Sequence, residues 1–254
     1  MDHPTSHPAD HPGGPDREVE EILARVEGDV AEPLRTVHRP SLDRGERSIR
    51  DTLLRMGSLI EERILLTVDA LETHDGEKAL AVIRGDEEIN ELHVEAQDLV
   101  VLTIATQAPV ARDLRLLLAL DRIGYELERI GDSIANVAKR ARELAPEPPL
   151  DGHVGVPEMG RLAAQFLAET MRAFTDADAA AARSAAARDD AIDAIYHRAL
   201  ERLVILAKAD PEHVERAMRL LVAARYMERI GDHVTNIAED VVFLSSGRHE
   251  DLNP

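Results

Sequence analysis

Apolar residues recur along most of this chain at the three-and-four spacing of a single helical face. The clearest run is Leu116, Leu120, Ile123, Leu127, Ile130, Ile134, Val137, Ala141 and Leu144. Leu220, Ala223, Met227, Ile230, Val234, Ile237, Val241 and Leu244 repeat it in the same phase. Each is a coiled-coil-like seam kept for about four heptads, which only a packed partner helix can bury.

Start and stop signals divide the rest into further helices. Ser41, with Asp43 and Glu46 close behind, opens a helix that runs to about Thr73, where His74-Asp75-Gly76 stops it. A second is predicted over roughly Glu77–Thr106, closed by Ala108-Pro109, and a third over Val110–Leu144. The proline-rich stretch from Pro146 to Pro157 reads as an interior linker. Helices over about 158–176, 178–209 and 212–245 follow, the last two parted by Asp210-Pro211. At the other end, Pro4, Pro8, Pro12 and Pro15 forbid a helix through His3, His7 and His11. Residues 1–16 are therefore expected to be disordered, with adventitious divalent-metal binding by those histidines as the alternative. Val19, Ile22, Leu23 and Val26 share a face and predict a short helix over 17–30, broken by the Pro33–Pro40 stretch. The expected fold class is all-α, as two tandem three-helix bundles related by internal duplication. An extension (1–40) precedes the first bundle (41–145), and a linker (146–157) leads to the second (158–247) and a tail (248–254).

The duplication is written out in the sequence. Glu128-Arg129-Ile130-Gly131-Asp132 recurs as Glu228-Arg229-Ile230-Gly231-Asp232, followed at the same offset by Asn136 and Asn236. Such self-similarity marks a repeated structural unit. Glu128 and Asp132 lie one helical turn apart, as do Glu228 and Asp232, and like charges at that spacing repel by a few tenths of a kcal/mol. Counted from the apolar seam, they fall on outward positions. A glycine inside a helix costs about 1 kcal/mol relative to alanine. Gly131 and Gly231 therefore imply that a neighbouring backbone or bulky ligand comes close.

A second polar pair stands in each half: Asp86 with Asn90 on the second helix, and Asp189 with Asp193 on the fifth. If helices two and three form a hairpin turning near residue 108, Asp86 and Asn90 lie 22 and 18 residues before the turn. Glu128 and Asp132 lie 20 and 24 after it. Around residue 210 the second half repeats this, so at about 1.5 Å per residue all of these groups sit roughly 30 Å from their turns. Oxygen-only clusters of this kind suit hard cations such as Mg²⁺, Mn²⁺ or iron, with Zn²⁺ also open. The candidate ligands are Asp86, Asn90, Glu128, Asp132, Asp189, Asp193, Glu228 and Asp232, with Asn136 and Asn236 behind them. The bland alternative is a solvated helix face, or salt bridges from Arg129 and Arg229, two residues that could equally meet a partner.

Composition narrows the function classes. The chain has 254 residues and a formal charge of −19, which disfavours a phosphate-backbone partner and attracts cations and basic protein surfaces. Three Phe, three Tyr and no Trp suit helix-on-helix packing. The absence of Cys excludes disulfides and thiolate metal sites. No signal-peptide core and no apolar run near 18 residues occurs, so the expectation is a soluble cytoplasmic protein without membrane insertion. There is no GxxxxGK[ST], GxGxxG, GxSxG or HExxH, and no Glu-x-x-His of the di-iron bundles, which argues against an enzyme. His93, His197, His213 and His233 do not align between the halves; His233, beside Asp232, could add a ligand in the second half only.

From about Ser41 to Gly247 the chain resembles the PhoU family of bacterial phosphate-signalling regulators. Each half has a D-x-x-x-N/D helix followed by the E-R-I-G-D helix, and Asp113-Leu114-Arg115 matches the first repeat's pattern. The resemblance implies a cytoplasmic, often dimeric protein of two three-helix bundles. Such a protein would act between the phosphate-specific ABC transporter ATPase and the sensor histidine kinase, holding the phosphate-starvation response off when phosphate is plentiful. It also implies metal clusters on the acidic motifs, the first weakened because Asn90 replaces a carboxylate. The alternatives are a metal-buffering bundle, a dinuclear hydrolase or redox enzyme, and a paralogue serving another phosphate transporter or persistence.

Overall fold

Seven α-helices carry nearly all of residues 39–253, the part of the chain that the computed structural model describes. The disorder expected for residues 1–16 and the helix expected for 17–30 lie outside these described residues. The helices are α1 (Pro40–Thr73), α2 (Gly76–Gln107), α3 (Ala111–Leu144), α4 (Val156–Asp176), α5 (Ala179–Ala186), α6 (Asp189–Ala209) and α7 (Val214–Ser246). Two 3₁₀ segments, Asp151–Gly155 and Pro211–His213, precede α4 and α7, and no strand occurs among the described residues. The fold is all-α, with two helical bundles in tandem: α1–α3, and α4–α7, in which α5 and α6 together take the place of one helix.

Local chemistry sets the boundaries. Pro40 opens α1, where its missing N–H costs nothing. The Asp75 carboxylate accepts hydrogen bonds from the Glu77 and Lys78 amides at 2.9 and 3.1 Å, capping α2. These bonds, the Lys78 one foremost, hold its carboxyl below the usual range. Ala108 leaves α2 in the left-handed conformation just before Pro109, and the chain turns back into α3. In the second half, Asp178 caps α5 through the Ala180 and Ala181 amides.

The helix expected over 178–209 is interrupted. A two-residue turn at Ala187–Arg188 separates α5 from α6. Arg188 is tied to Glu169 on α4 by two hydrogen bonds of 2.6 Å, and Ala182, Ala185 and Ala186 are buried. The alanine-rich sequence has uniformly high helix propensity and hides the break. Its consequence is that Asp189 is the first residue of α6, whereas its counterpart Asp86 lies in mid-α2.

The predicted seams form the core. All their members are buried except Leu116 and Leu244, which are partly buried against it. Burial on α3 is wider than one stripe, taking in Leu117, Ala119, Ser133, Ala135 and Ala138, because α3 packs on α1, α2 and α7 together. The α3–α7 contact is the most extensive helix pairing among the described residues, and α1 packs on α4. Arg122 faces Asp240, Glu126 faces Asn236, and Glu143 faces Arg219. The numbers climb on one helix as they fall on the other, so α3 and α7 are antiparallel. The same register sets Gly131 level with Gly231. Both repeated words therefore lie beside the middle of the joint between the two units.

Candidate functional site

Each half places its acidic pairs across a helix hairpin. A Cβ built on Gly131 would lie 3.0 Å from Ile89 Cγ2 and 3.6 Å from Asp86 Oδ1; on Gly231 it would collide with Asp189 Oδ1. The glycines thus admit a neighbouring side chain, rather than the backbone or ligand that the sequence suggested. Glu128, Asp132, Asp193, Glu228 and Asp232 are half-buried and Asp189 is 4 % exposed. This corrects the outward placement expected from the seam: because α3 and α7 are covered on several sides, these acids line the groove each helix forms with α2 or α6.

The second repeat concentrates the charge. Burial pushes the Asp189 carboxyl up to about 7, with Asp193, Asp232 and Glu228 adding to the rise and the nearby Thr235 hydroxyl opposing it. Asp193 and Glu228 are also raised, by burial first and by Asp232 second. Four carboxylates thus share one electrostatic environment. Arg225 forms a short hydrogen bond to one Glu228 oxygen, yet Glu228 Oε2 and Asp189 Oδ1 are buried without a hydrogen-bond partner. The C-terminal tail folds over this site. Asn253 Nδ2 donates to Asp189 Oδ2 at 2.9 Å, Leu252 N donates to Glu239 Oε1, and Arg183 pairs with Glu250. Between tail and α7 lies a cleft of about 590 Å³ lined by Asp232, Asn236, Glu239, Glu250 and Asp251 among others.

The first repeat is weaker. The Asp86 carboxyl is raised by burial and then by Asp132, while Lys139 opposes it. Arg129 sits 3.3 Å from Glu128 and 3.4 Å from Asp132, with its guanidinium over the Tyr125 ring. Here the salt-bridge alternative is realised. Asn90 is exposed, and Asn136 spends its amide on the Asp132 carbonyl and Lys139. In the second half Arg229 instead lies over Tyr226, and Asn236 donates to Glu126. His233 does not join the acids. Its Nδ1 meets Glu126 Oε2 at 2.7 Å, across the α3–α7 joint.

Sequence reasoning missed Arg225, Lys139, Thr235, Glu126 and Asn253. Arg225 stands three residues before Glu228 on the same helix face, a spacing that could have signalled it; the others arrive through tertiary packing. Among the described residues no three His, Asp or Glu side chains are gathered as a ready-made metal shell. The donor chemistry nonetheless fits a hard cation in the second repeat, where Asp189 Oδ1 and Glu228 Oε2 lack hydrogen-bond partners among the described residues and Arg225 offsets the mutual repulsion only in part. In the first repeat Arg129 and Lys139 already supply the positive charge.

The PhoU domain family model matches residues 53–141 and 156–241. The chain belongs to the PhoU family. The two matched PhoU segments hold both acidic groups; the 142–155 connection and the Asn253-bearing tail fall outside them. A relative from Pseudomonas aeruginosa, the phosphate-specific transport system accessory protein PhoU homolog, is 36% identical over 200 residues, covering 78% of this chain and 83% of the relative. The crystal structure of PhoU from Pseudomonas aeruginosa superposes with a TM-score of 0.77 at 35% identity, covering 81% of this chain and 99% of that one. The phosphate transport system regulatory protein PhoU from Streptococcus pneumoniae follows at 0.76 and 27%, with coverage of 83% and 99%.

Proposed function

We propose that this chain is a cytoplasmic, non-enzymatic adaptor that negatively regulates the phosphate-starvation response. It links the phosphate ABC transporter ATPase to the phosphate sensor histidine kinase and works as a homodimer. The observation that carries this reading is membership of a family whose relatives are named as accessory and regulatory proteins of phosphate transport, over both repeats. No helix among the described residues is long and apolar enough to cross a membrane, which suits a regulator that docks on membrane-bound partners.

The acidic grooves are the working surface in this reading. Asp189, Asp193, Glu228 and Asp232 hold a hard cation such as Mg²⁺, Mn²⁺ or iron, with Zn²⁺ also open, which offsets their repulsion and gives the groove a positive point for a partner's acidic or carbonyl oxygens. Asp86, Glu128 and Asp132 form a second, weaker site.

Changing Glu128, Asp132, Glu228 and Asp232 together to Ala tests the reading in cells. In rich phosphate, a starvation-response reporter is expected to rise toward the level of a strain lacking the protein. A helical, monodisperse variant that still represses fully would remove the acidic grooves from the mechanism.

A further inference from the structure

Away from the acidic grooves, the connection between the two repeats buries an imidazole whose ring nitrogens meet no well-formed hydrogen bond among the described residues. His153, in the 3₁₀ segment Asp151–Gly155, is 4 % exposed, and both of its ring nitrogens are buried without a hydrogen-bond partner. A buried polar atom left unpaired costs about 1–3 kcal/mol, and native structures rarely tolerate one. The Leu71 carbonyl approaches the ring without completing a hydrogen bond. Burial, followed by the neighbouring His74, holds His153 below the ordinary imidazole range.

His74 is the ring beside it. It leaves the C-terminus of α1 in the left-handed conformation and places its ring centre 5.1 Å from that of His153, the planes inclined by 44°. Two imidazoles sharing one tetrahedral ion, each with a metal–nitrogen distance of about 2.1 Å, have ring centres roughly 5 Å apart. No hydrogen bond engages the His74 ring among the described residues. Glu72 lies two residues earlier, near enough to act electrostatically on His153. Its carboxylate is about half exposed and hydrogen-bonded to Arg161 at 2.8 Å.

We propose that His74 and His153 form a binding site for a borderline divalent transition-metal ion, Zn²⁺ in the first instance. Glu72, once released from Arg161, and water complete the tetrahedral shell. The ion pins the connection between the repeats to the α1–α2 turn. It satisfies the buried His153 nitrogen that faces it and offsets the strain of a segment in which Asp151, His153 and Val154 all have positive φ. Its nitrogen-based ligand set is distinct from the oxygen-only grooves, so the two sites differ in the ions they prefer.

The full chain carrying His3→Ala, His7→Ala and His11→Ala removes the adventitious N-terminal histidines and serves as the reference. Its zinc content after equilibrium dialysis is compared with that of the same chain bearing His74→Asn or His153→Gln. Asn tolerates the left-handed backbone at position 74, and that site is only half-buried, so His74→Asn is expected to fold. Each variant is expected to lose one zinc equivalent, with Zn²⁺ affinity at the site weakened roughly tenfold or more. Zn²⁺ is expected to raise the thermal midpoint of the reference more than that of His74→Asn. Asp189→Asn is expected to leave this equivalent in place, separating it from the acidic groove. A reference chain that binds no zinc, or a folded His74→Asn variant with unchanged stoichiometry and unchanged midpoint shift, would overturn the proposal.

Discussion

Replacing Asp189 with Asn should make the chelator-treated protein more stable at pH 8, by about 2–4 kcal/mol. Asp189 has a folded-state pKa of about 7 against 3.8 for the ordinary group, chiefly because burial penalises its charge. A raised carboxyl contributes stability that is complete below the unfolded pKa and lost as pH rises through the folded one. Wild-type stability should therefore decline between about pH 4 and pH 7 from this group alone, and the roughly three-unit gap corresponds to about 4 kcal/mol as an upper bound. Asn keeps the shape and can still accept from Asn253, but never charges. Denaturant unfolding of both proteins at pH 5 and pH 8 checks this: the gap should be less than half as large at pH 5 as at pH 8. A stability gain on removing an acid is the signature of a group retained for function at the expense of the fold.

An effect of similar size and opposite sign is expected from Arg122→Ala, a loss of about 2–3 kcal/mol. Arg122 donates to both carboxylate oxygens of Asp240, including one short bond, across the α3–α7 joint. Asp240 is 7 % exposed, and its carboxyl is raised by burial even with the guanidinium beside it. Removing one partner of a buried pair typically costs about 3–5 kcal/mol. The figure is reduced here because Arg122 is nearly half exposed and its pairing is screened. Without the Arg122 guanidinium, burial should push the Asp240 carboxyl further up, so the loss should grow as pH rises. Arg122→Met combined with Asp240→Leu should recover most of the stability, since a well-packed apolar pair can replace a buried ion pair at little net cost. Urea unfolding of the unaltered protein and the two variants at pH 8 reads both effects. Equal destabilisation by the single and double changes would show that packing, not the ion pair, holds the repeats together.

Periodicity made much of this molecule legible in advance. The seams on α3 and α7 needed only counting, because an uninterrupted three-four spacing has one structural solution. The levelling of Asp86 with Asp132, and of Asp189 with Asp232, followed from helix rise and turn position alone. The turn at Ala187–Arg188 was hidden because every residue of the alanine run favours helix, and the break is set by Arg188 reaching Glu169 on another helix. Burial of the acids was missed for a related reason. A single seam defines one buried face, whereas α3 and α7 each meet several neighbours, and the antiparallel joint between the repeats leaves no periodic trace. Asn253 illustrates the limit most plainly: it is one of several polar residues in a short tail, and only the fold carries its amide to Asp189.

If, as proposed, the second repeat holds the stronger cation site, the two repeats should respond differently to loss of their acids. Equilibrium dialysis against Mn²⁺ tests it with the full chain, Asp189→Asn/Glu228→Gln and Asp86→Asn/Glu128→Gln. Affinity at oxygen-ligand sites follows ligand charge. The second-repeat pair of changes should therefore weaken the tightest Mn²⁺ binding by roughly tenfold or more, and the first-repeat pair should leave it intact. Undiminished tight binding after the second-repeat changes, or its loss after the first-repeat changes, would contradict the account.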